Sequence, residues 1–455
     1  MMKKILTLSL ASVAMLSLSA CNSSNDDETI TPPGQPAAVA DATLKFVHAS
    51  SDAPDVNIRF GANAVSGLAY AQSSANFNVT PDTYQVAVDA ILPGNSTATV
   101  IGPLGVTLAE ATNYTVFAVG SVANETLEPL VVTSDVAPLA AGNIRVQVVH
   151  AASAAPTVDV HVTAPTDALT APLATLDYKD FTAPVDVPAG NYRVRITLPG
   201  QSTVVFDSGT LELAAGTDLV VAAINNRLSG ASPVSLLAVA PDGSFFDVAD
   251  ANTTSSVRVV HNVSDAPAVD VIVNDSIELV SALSFPDFTD YVGVAPDTYN
   301  VKVAAAADNS VVVIDADLTL DAGAFYSVLA VGSLQNDTIE PLVLADMPRR
   351  VATEAQVRIV HGSTLAGPVD IYVTATNDIS AATPAFAAVP FKADTGYVSL
   401  AEGTYFVTVT PAGSKTAAIG PLSLDLEANK IYTAVARDGV GLTGNVGLIL
   451  LDDFN

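Results

Sequence analysis

One motif returns four times along this chain, and each return carries the alternation of a β-strand. LKFVHASSDAPDVNIRF begins at Leu44, VQVVHAASAAPTVDVHV at Val146, VRVVHNVSDAPAVDVIV at Val257 and VRIVHGSTLAGPVDIYV at Val357. Repetition at a fixed period obliges a chain to fold as an array of similar modules. The motif histidines are His48, His150, His261 and His361, and nine residues after each comes Asn57, Asp159, Asp270 or Asp370. A second landmark is as regular. An aromatic residue (Tyr70, Tyr178, Phe285, Phe391) precedes by 14 residues a tyrosine that follows a tight turn: Tyr84, Tyr192, Tyr299 and Tyr405.

The repeats differ in an ordered way. The first and third share SDAP, PDTY and a late block, AVGSVANETLEPLVV from Ala118 and AVGSLQNDTIEPLVL from Ala330. The second and fourth lack that block. Alternate repeats are evenly spaced, 213 residues from His48 to His261 and 211 from His150 to His361. The array therefore reads as a two-module unit duplicated whole.

Within the third repeat, alternation, β-branched residues and Pro/Gly/Asp/Asn breaks predict eight strands, at 257–261, 269–273, 280–285, 290–294, 299–304, 311–320, 326–331 and 341–344. No segment has a helical period. Eight short strands in such a module predict an all-β chain of tandem immunoglobulin-like β-sandwiches. The expected modules are 42–138, 139–250, 251–348 and 349–455, joined near 137–142, 249–256 and 347–355.

In the first strand of the third repeat Val257, Val259 and His261 share one face, with Arg258 and Val260 on the other. The histidine thus continues the apolar face and is expected to bond loop backbone, a structural role repeated at every module. The Asp nine residues on lies on the next strand. If those two strands pair, Arg258 faces Asp270 and Arg358 faces Asp370 as cross-strand ion pairs, with Lys45–Asn57 and Gln147–Asp159 as weaker versions. His161 fits an alternating strand better than a site. Acidic clusters such as Asp315 with Asp317, and Asp452 with Asp453, lie in no twelve-residue calcium loop, so no metal is assigned. There is no G-x-S-x-G, H-E-x-x-H, phosphate-cradling glycine loop or cysteine pair, so no catalytic residue and no cofactor are assigned.

The N-terminus sets the expected compartment. Lys3 and Lys4 precede the run ILTLSLASVAML, and Leu18-Ser19-Ala20-Cys21 resembles a bacterial lipobox. The reading is a cleaved signal at 1–20, lipidation at Cys21, the only cysteine, and a flexible acidic linker through residue 41. At about 0.8 kcal/mol per buried methylene, several acyl chains would tie Cys21 to a bilayer durably. The resemblance to bacterial lipoproteins implies the outer membrane, since Asn22 stands where an aspartate would retain the protein in the inner membrane. Loss of the signal leaves 16 basic against 47 acidic side chains. Such a surface repels nucleic acid, and with Cys21 acylated no disulfide supports the fold.

The stretch V-R-V-V-H-x-S-x-D-A-P-x-V-D-V, followed by A-G-x-Y-x-V and Y-x-V-x-A-V, resembles the domain of unknown function family 4397. The third repeat matches best, from Val257 to Val271, at Pro296-Asp297-Thr298-Tyr299 and over Tyr326 to Val331. The first departs at Asn57, the second at Ala154 and Ala155, and the fourth at Ala366-Gly367-Pro368. The resemblance implies β-sandwich modules in a secreted or surface protein and supplies no activity. The expected function is extracytoplasmic binding or adhesion, with an envelope protein, a glycan or a matrix protein as partner. The alternative is a structural spacer or periplasmic envelope component, and a polysaccharide-active enzyme ranks behind both.

Overall fold

A computed structural model describes residues 40–453 other than 136 and 444. The expected signal, Cys21 and the expected linker as far as residue 39 lie outside the described residues. In the first repeat the strands are β1 (Ala42–His48), β2 (Val56–Phe60), β3 (Asn63–Leu68), β4 (Phe77–Val79), β5 (Thr83–Leu92), β6 (Ser96–Thr107), β7 (Thr112–Val119) and β8 (Glu128–Asp135). They form two sheets, β4-β1-β7-β8 and β3-β2-β5-β6, packed face to face over one core. The architecture is a sandwich of immunoglobulin-like kind, with its own strand order. The opening strand β1 sits inside its sheet, antiparallel to β4 and parallel to β7.

The third repeat has the eight expected strands, at Ser255–His261, Val269–Val273, Ile277–Leu283, Val292–Val294, Asp297–Ala305, Asp308–Leu320, Phe325–Val331 and Glu340–Asp346. The third of these begins earlier than its apolar run suggests. Asn274 and Asp275 adopt positive φ (50° and 60°) and turn the hairpin at once, as Asn and Asp do in two-residue hairpin turns. The fourth repeat repeats the order. In the second, the sixth strand is split into Val204–Asp207 and Leu211–Leu213, and Phe245–Val248 extends the other sheet. Among the described residues no helix is long and apolar enough to cross a membrane.

The modules are not independent beads. The sheet containing β1 packs through its outer face on the corresponding sheet of the second repeat, burying Val47, Phe117, Val119 and Val132 against Val149, Ile224, Leu237 and Val239. The third and fourth repeats join the same way, with Val260, Leu329 and Val331 against Val360, Val435 and Ile449. The motif strand is therefore covered on both sides, and all seven residues of Ala355–His361 are buried. That explains why VRVVH reads as an apolar run carrying one Arg rather than as strict alternation. Val257 and Val259 face their own sandwich, whereas Arg258 and Val260 face the neighbouring module.

The pairs also touch each other. Ser229 donates its N–H to Gly323 O at 2.9 Å, and Ala352 donates to Asp52 O at 2.8 Å. Arg349, between the third and fourth repeats, donates to Ala53 O at 2.7 Å and lies 5.7 Å from the centre of the Tyr70 ring.

Candidate functional site

The motif histidine does the same work in every module. Nε2 of His48, His150, His261 and His361 lies 2.9, 2.9, 3.0 and 3.0 Å from the carbonyl six residues later, at Pro54, Pro156, Pro267 and Gly367. A carbonyl only accepts, so Nε2 carries the proton. Nδ1 of His48 and of His261 in turn accepts the N–H two residues on, from Ser50 and Val263. The partner aromatic stands edge-on to the imidazole, with ring centres 6.0 Å apart for His48–Tyr70 and 6.2 Å for His150–Tyr178, His261–Phe285 and His361–Phe391. The loop after β1 is thus fastened from beneath by a neutral ring.

Burial pushes the His48 imidazole down to about 4, and lowers that of His261 as well. Above pH 6.5 the ring is neutral in both folded and unfolded chains. Below 6.5 the unfolded chain takes a proton that the folded chain refuses until about pH 4. Stability is therefore lost as pH falls across that window, and His48 alone accounts for about 3 kcal/mol. Urea midpoints at pH 7 and pH 4.5 should show a smaller acid loss for His48→Gln than for the parent. An equal loss in both would mean that His48 does not titrate this way.

The residue nine positions on is not an ion-pair partner, which corrects the sequence expectation. Arg258 and Asp270 lie on strands of different sheets, as do Arg358 and Asp370, so neither pair can form a cross-strand contact. The same holds for Lys45 with Asn57 and Gln147 with Asp159. Instead the side chain caps an irregularity in the next hairpin. Asn57 accepts the Gly67 N–H at 3.0 Å, Asp270 that of Ala282 at 2.8 Å and Asp370 that of Ala388 at 2.8 Å. Gly67, Ala282 and Ala388 all have positive φ, so the carboxylate or amide satisfies an N–H turned out of the ladder. Asp159 accepts from Thr175 and from the Gly200 N–H.

The second tyrosine braces its own turn. Tyr84, Tyr192 and Tyr299 donate to the carbonyl four residues upstream, at Thr80 (2.9 Å), Pro188 (2.6 Å) and Ala295 (2.8 Å), while Tyr405 packs on the fourth core. This is the logic of a tyrosine corner. His161 is buried, its Nδ1 2.9 Å from Thr170 O. Asp315 and Asp317 both accept from Asn300. Among the described residues no three His, Cys, Asp or Glu side chains converge as a metal site would require.

Loop clamps escaped the sequence reading. The SDAP aspartate of the first repeat, Asp52, accepts from the Ser121 hydroxyl and the N–H groups of Val122 and Ala123. Asp265 does the same for Ser333, Leu334 and Gln335 in the third. The second and fourth repeats lack that aspartate and clamp from the opposite side. Asn225 accepts the Ala154 N–H, and Asp438 accepts from Ser363, Thr364 and Leu365. The odd–even sequence difference is one clamp built in two directions.

The most deeply buried ion pairs join the third and fourth modules. Arg258 reaches across the interface to Asp453, and Arg358 reaches back to Asp346, with all four side chains at most 2% exposed. The arrangement is nearly two-fold. Arg258 donates to Ser327 at 2.7 Å and covers the Tyr291 ring at 4.7 Å, and Arg358 donates to Thr433 at 3.3 Å and covers Tyr397 at 4.5 Å. Asp346 also accepts from Tyr291 and Ser327, each at 2.6 Å. Burial pushes the Asp453 carboxyl up, opposed by the Arg258 charge, and pushes the Tyr397 hydroxyl up to about 12. The first pair joins differently. Lys45 donates to Ala240 O at 3.2 Å, and Gln147 to Thr133 O and Thr182 O at 3.1 and 2.9 Å.

The third sandwich contains a cavity of about 300 Å³, lined almost wholly by aliphatic side chains of both sheets. The equivalent space in the first repeat is about 20 Å³. In the fourth, a cavity of about 260 Å³ includes Ser423, Asp425 and Thr433 and is more polar.

Comparison with known proteins gives a family but no activity. No curated protein matches. The Bacillus anthracis TIE protein is 10% identical, with 89% of this chain and 75% of that one covered, at a TM-score of 0.14. The pneumococcal glycogen-degrading virulence factor SpuA is 10% identical, with 83% and 37% covered, at 0.15. The pilus adhesin SpaC from Lactobacillus rhamnosus GG is 10% identical, with 90% and 56% covered, at 0.15. Scores so low carry no inference about this chain. The model of the domain of unknown function DUF4397 matches residues 42–161, 255–372 and 373–455. On that match, over most of its length, the chain belongs to the DUF4397 family.

Proposed function

We propose that this chain is an extracytoplasmic binding or adhesion protein, held on the outer membrane by acyl chains on Cys21 and presenting its sandwich loops to a glycan or matrix protein. The observation that carries this reading is the clamping of every module's loops. The motif histidines fix the loops after the first strands, and Asp52, Asn225, Asp265 and Asp438 fix loops at the same end of each module. Loops held by a rigid scaffold are the usual place for recognition. Modules fused in pairs also keep several such loops at fixed separations, which favours multivalent contact over independent encounters.

Two measurements test the reading. Cys21→Ala should release folded protein from the membrane fraction, and retention there would remove the anchor from the proposal. A glycan and matrix-protein array probed with the released chain should show saturable binding. Capture of another envelope protein, with no array signal, would make the chain a structural spacer instead.

A further inference from the structure

We propose that the cavity inside the third repeat is a binding site for an uncharged aliphatic chain of roughly ten carbon atoms, a size scaled from cavities that hold a single benzene ring. The first repeat shows what kind of matter belongs in that space. There Phe46, Phe60 and Phe77 fill it with their own rings, at centre separations of 5.1 Å for Phe46–Phe60 and 4.9 Å for Phe60–Phe77. Strand register maps these residues onto the third repeat. Leu44 pairs with Tyr114 and Phe77 as Val257 pairs with Tyr326 and Val292, and Phe60 pairs with Val86 as Val273 pairs with Val301. Phe46, Phe60 and Phe77 therefore correspond to Val259, Val273 and Val292.

The backbone of the sandwich is kept while the three rings are gone. Val259 and Val273 are 9% and 8% exposed, where Phe46 and Phe60 are 1% and 0%. A void of this volume among methyl groups forfeits the dispersion contacts of a packed core, so an apolar occupant gains them.

Shape and polarity narrow the ligand. Val257, Val259 and His261 all line the cavity, so it extends along alternate residues of one strand for roughly 13 Å, a slot suited to a chain. Its polar walls are already spent, since His261 bonds Pro267 O and Val263 N–H while the Tyr299 hydroxyl bonds Ala295 O. Asp317 also lines the cavity and is exposed, which disfavours a carboxylate head group.

The test uses the full chain carrying Cys21→Ala, so that no attached lipid competes. Titration with 1-decanol should show one saturable site and move the methyl NMR signals of Val271 and Ile314. Decanoate should bind at least tenfold more weakly. Val259→Phe with Val273→Phe, which restores two rings of the first repeat, should weaken 1-decanol binding at least tenfold in protein whose other methyl signals are unchanged. Should that variant misfold, Val259→Leu is the milder filling and should weaken binding in the same direction. Unmoved Val271 and Ile314 signals in the parent, equal binding of decanoate, or undiminished binding in a folded filled variant would each overturn the proposal.

Discussion

Asp346→Ala should destabilise the third and fourth repeats by about 3–5 kcal/mol, the cost expected when one partner of a buried ion pair is removed. The Asp346 side chain is fully buried and receives Arg358, Ser327 and Tyr291, with Arg258 3.9 Å away. Truncation leaves the buried Arg358 guanidinium without its paired carboxylate, and the Asp453 charge beyond it is already engaged by Arg258. Because the carboxylate lies on one module and Arg358 on the other, the loss should appear in both repeats at once. Denaturant unfolding followed by hydrogen exchange reads this directly, and the first two repeats should keep their midpoint. Replacing the whole set, with Arg258→Met, Arg358→Met, Asp346→Leu and Asp453→Leu, should return stability close to that of the parent. A loss below about 1 kcal/mol for Asp346→Ala would mean that water reaches the network.

Phe117→Ala should cost about 3–5 kcal/mol, as large-to-small changes at well-packed aromatic positions do. Phe117 is completely buried, yet it sits on the outer face of the first sandwich, packed among residues of the second repeat as well as its own. Hydrogen exchange should therefore report weakened protection in both repeats. Phe46→Ala, inside the first sandwich alone, should weaken mainly the first. If Phe117→Ala leaves the second repeat's protection untouched, the shared core does not couple the two modules.

Much of each module is legible locally. Alternation and turn residues place the eight strands of the third repeat, because side-chain parity and hairpin chemistry act over a few residues. The histidine is legible too, since its parity puts it on an apolar face at a strand end. The Arg–Asp expectation fails for a topological reason. Strands adjacent in sequence need not be adjacent in a sheet, and here the first strand pairs with the seventh while the second pairs with the fifth. The odd–even difference in SDAP is visible in the sequence, but its meaning is not. Asp52 and Asp438 clamp loops about 70 residues away in the chain, from opposite sides.

The sequence by itself determined the repeat, its strands and its acidic composition, all of which follow from local pattern and residue counts. What covers the second face of each motif strand was decided only by tertiary structure. A run such as VRVVH says that both faces want burial, yet it does not say against what. The partner of Arg258 is 195 residues away on another module. A buried charge is satisfied only by the geometry of its closest neighbour, and geometry at that range exists only once the modules have packed.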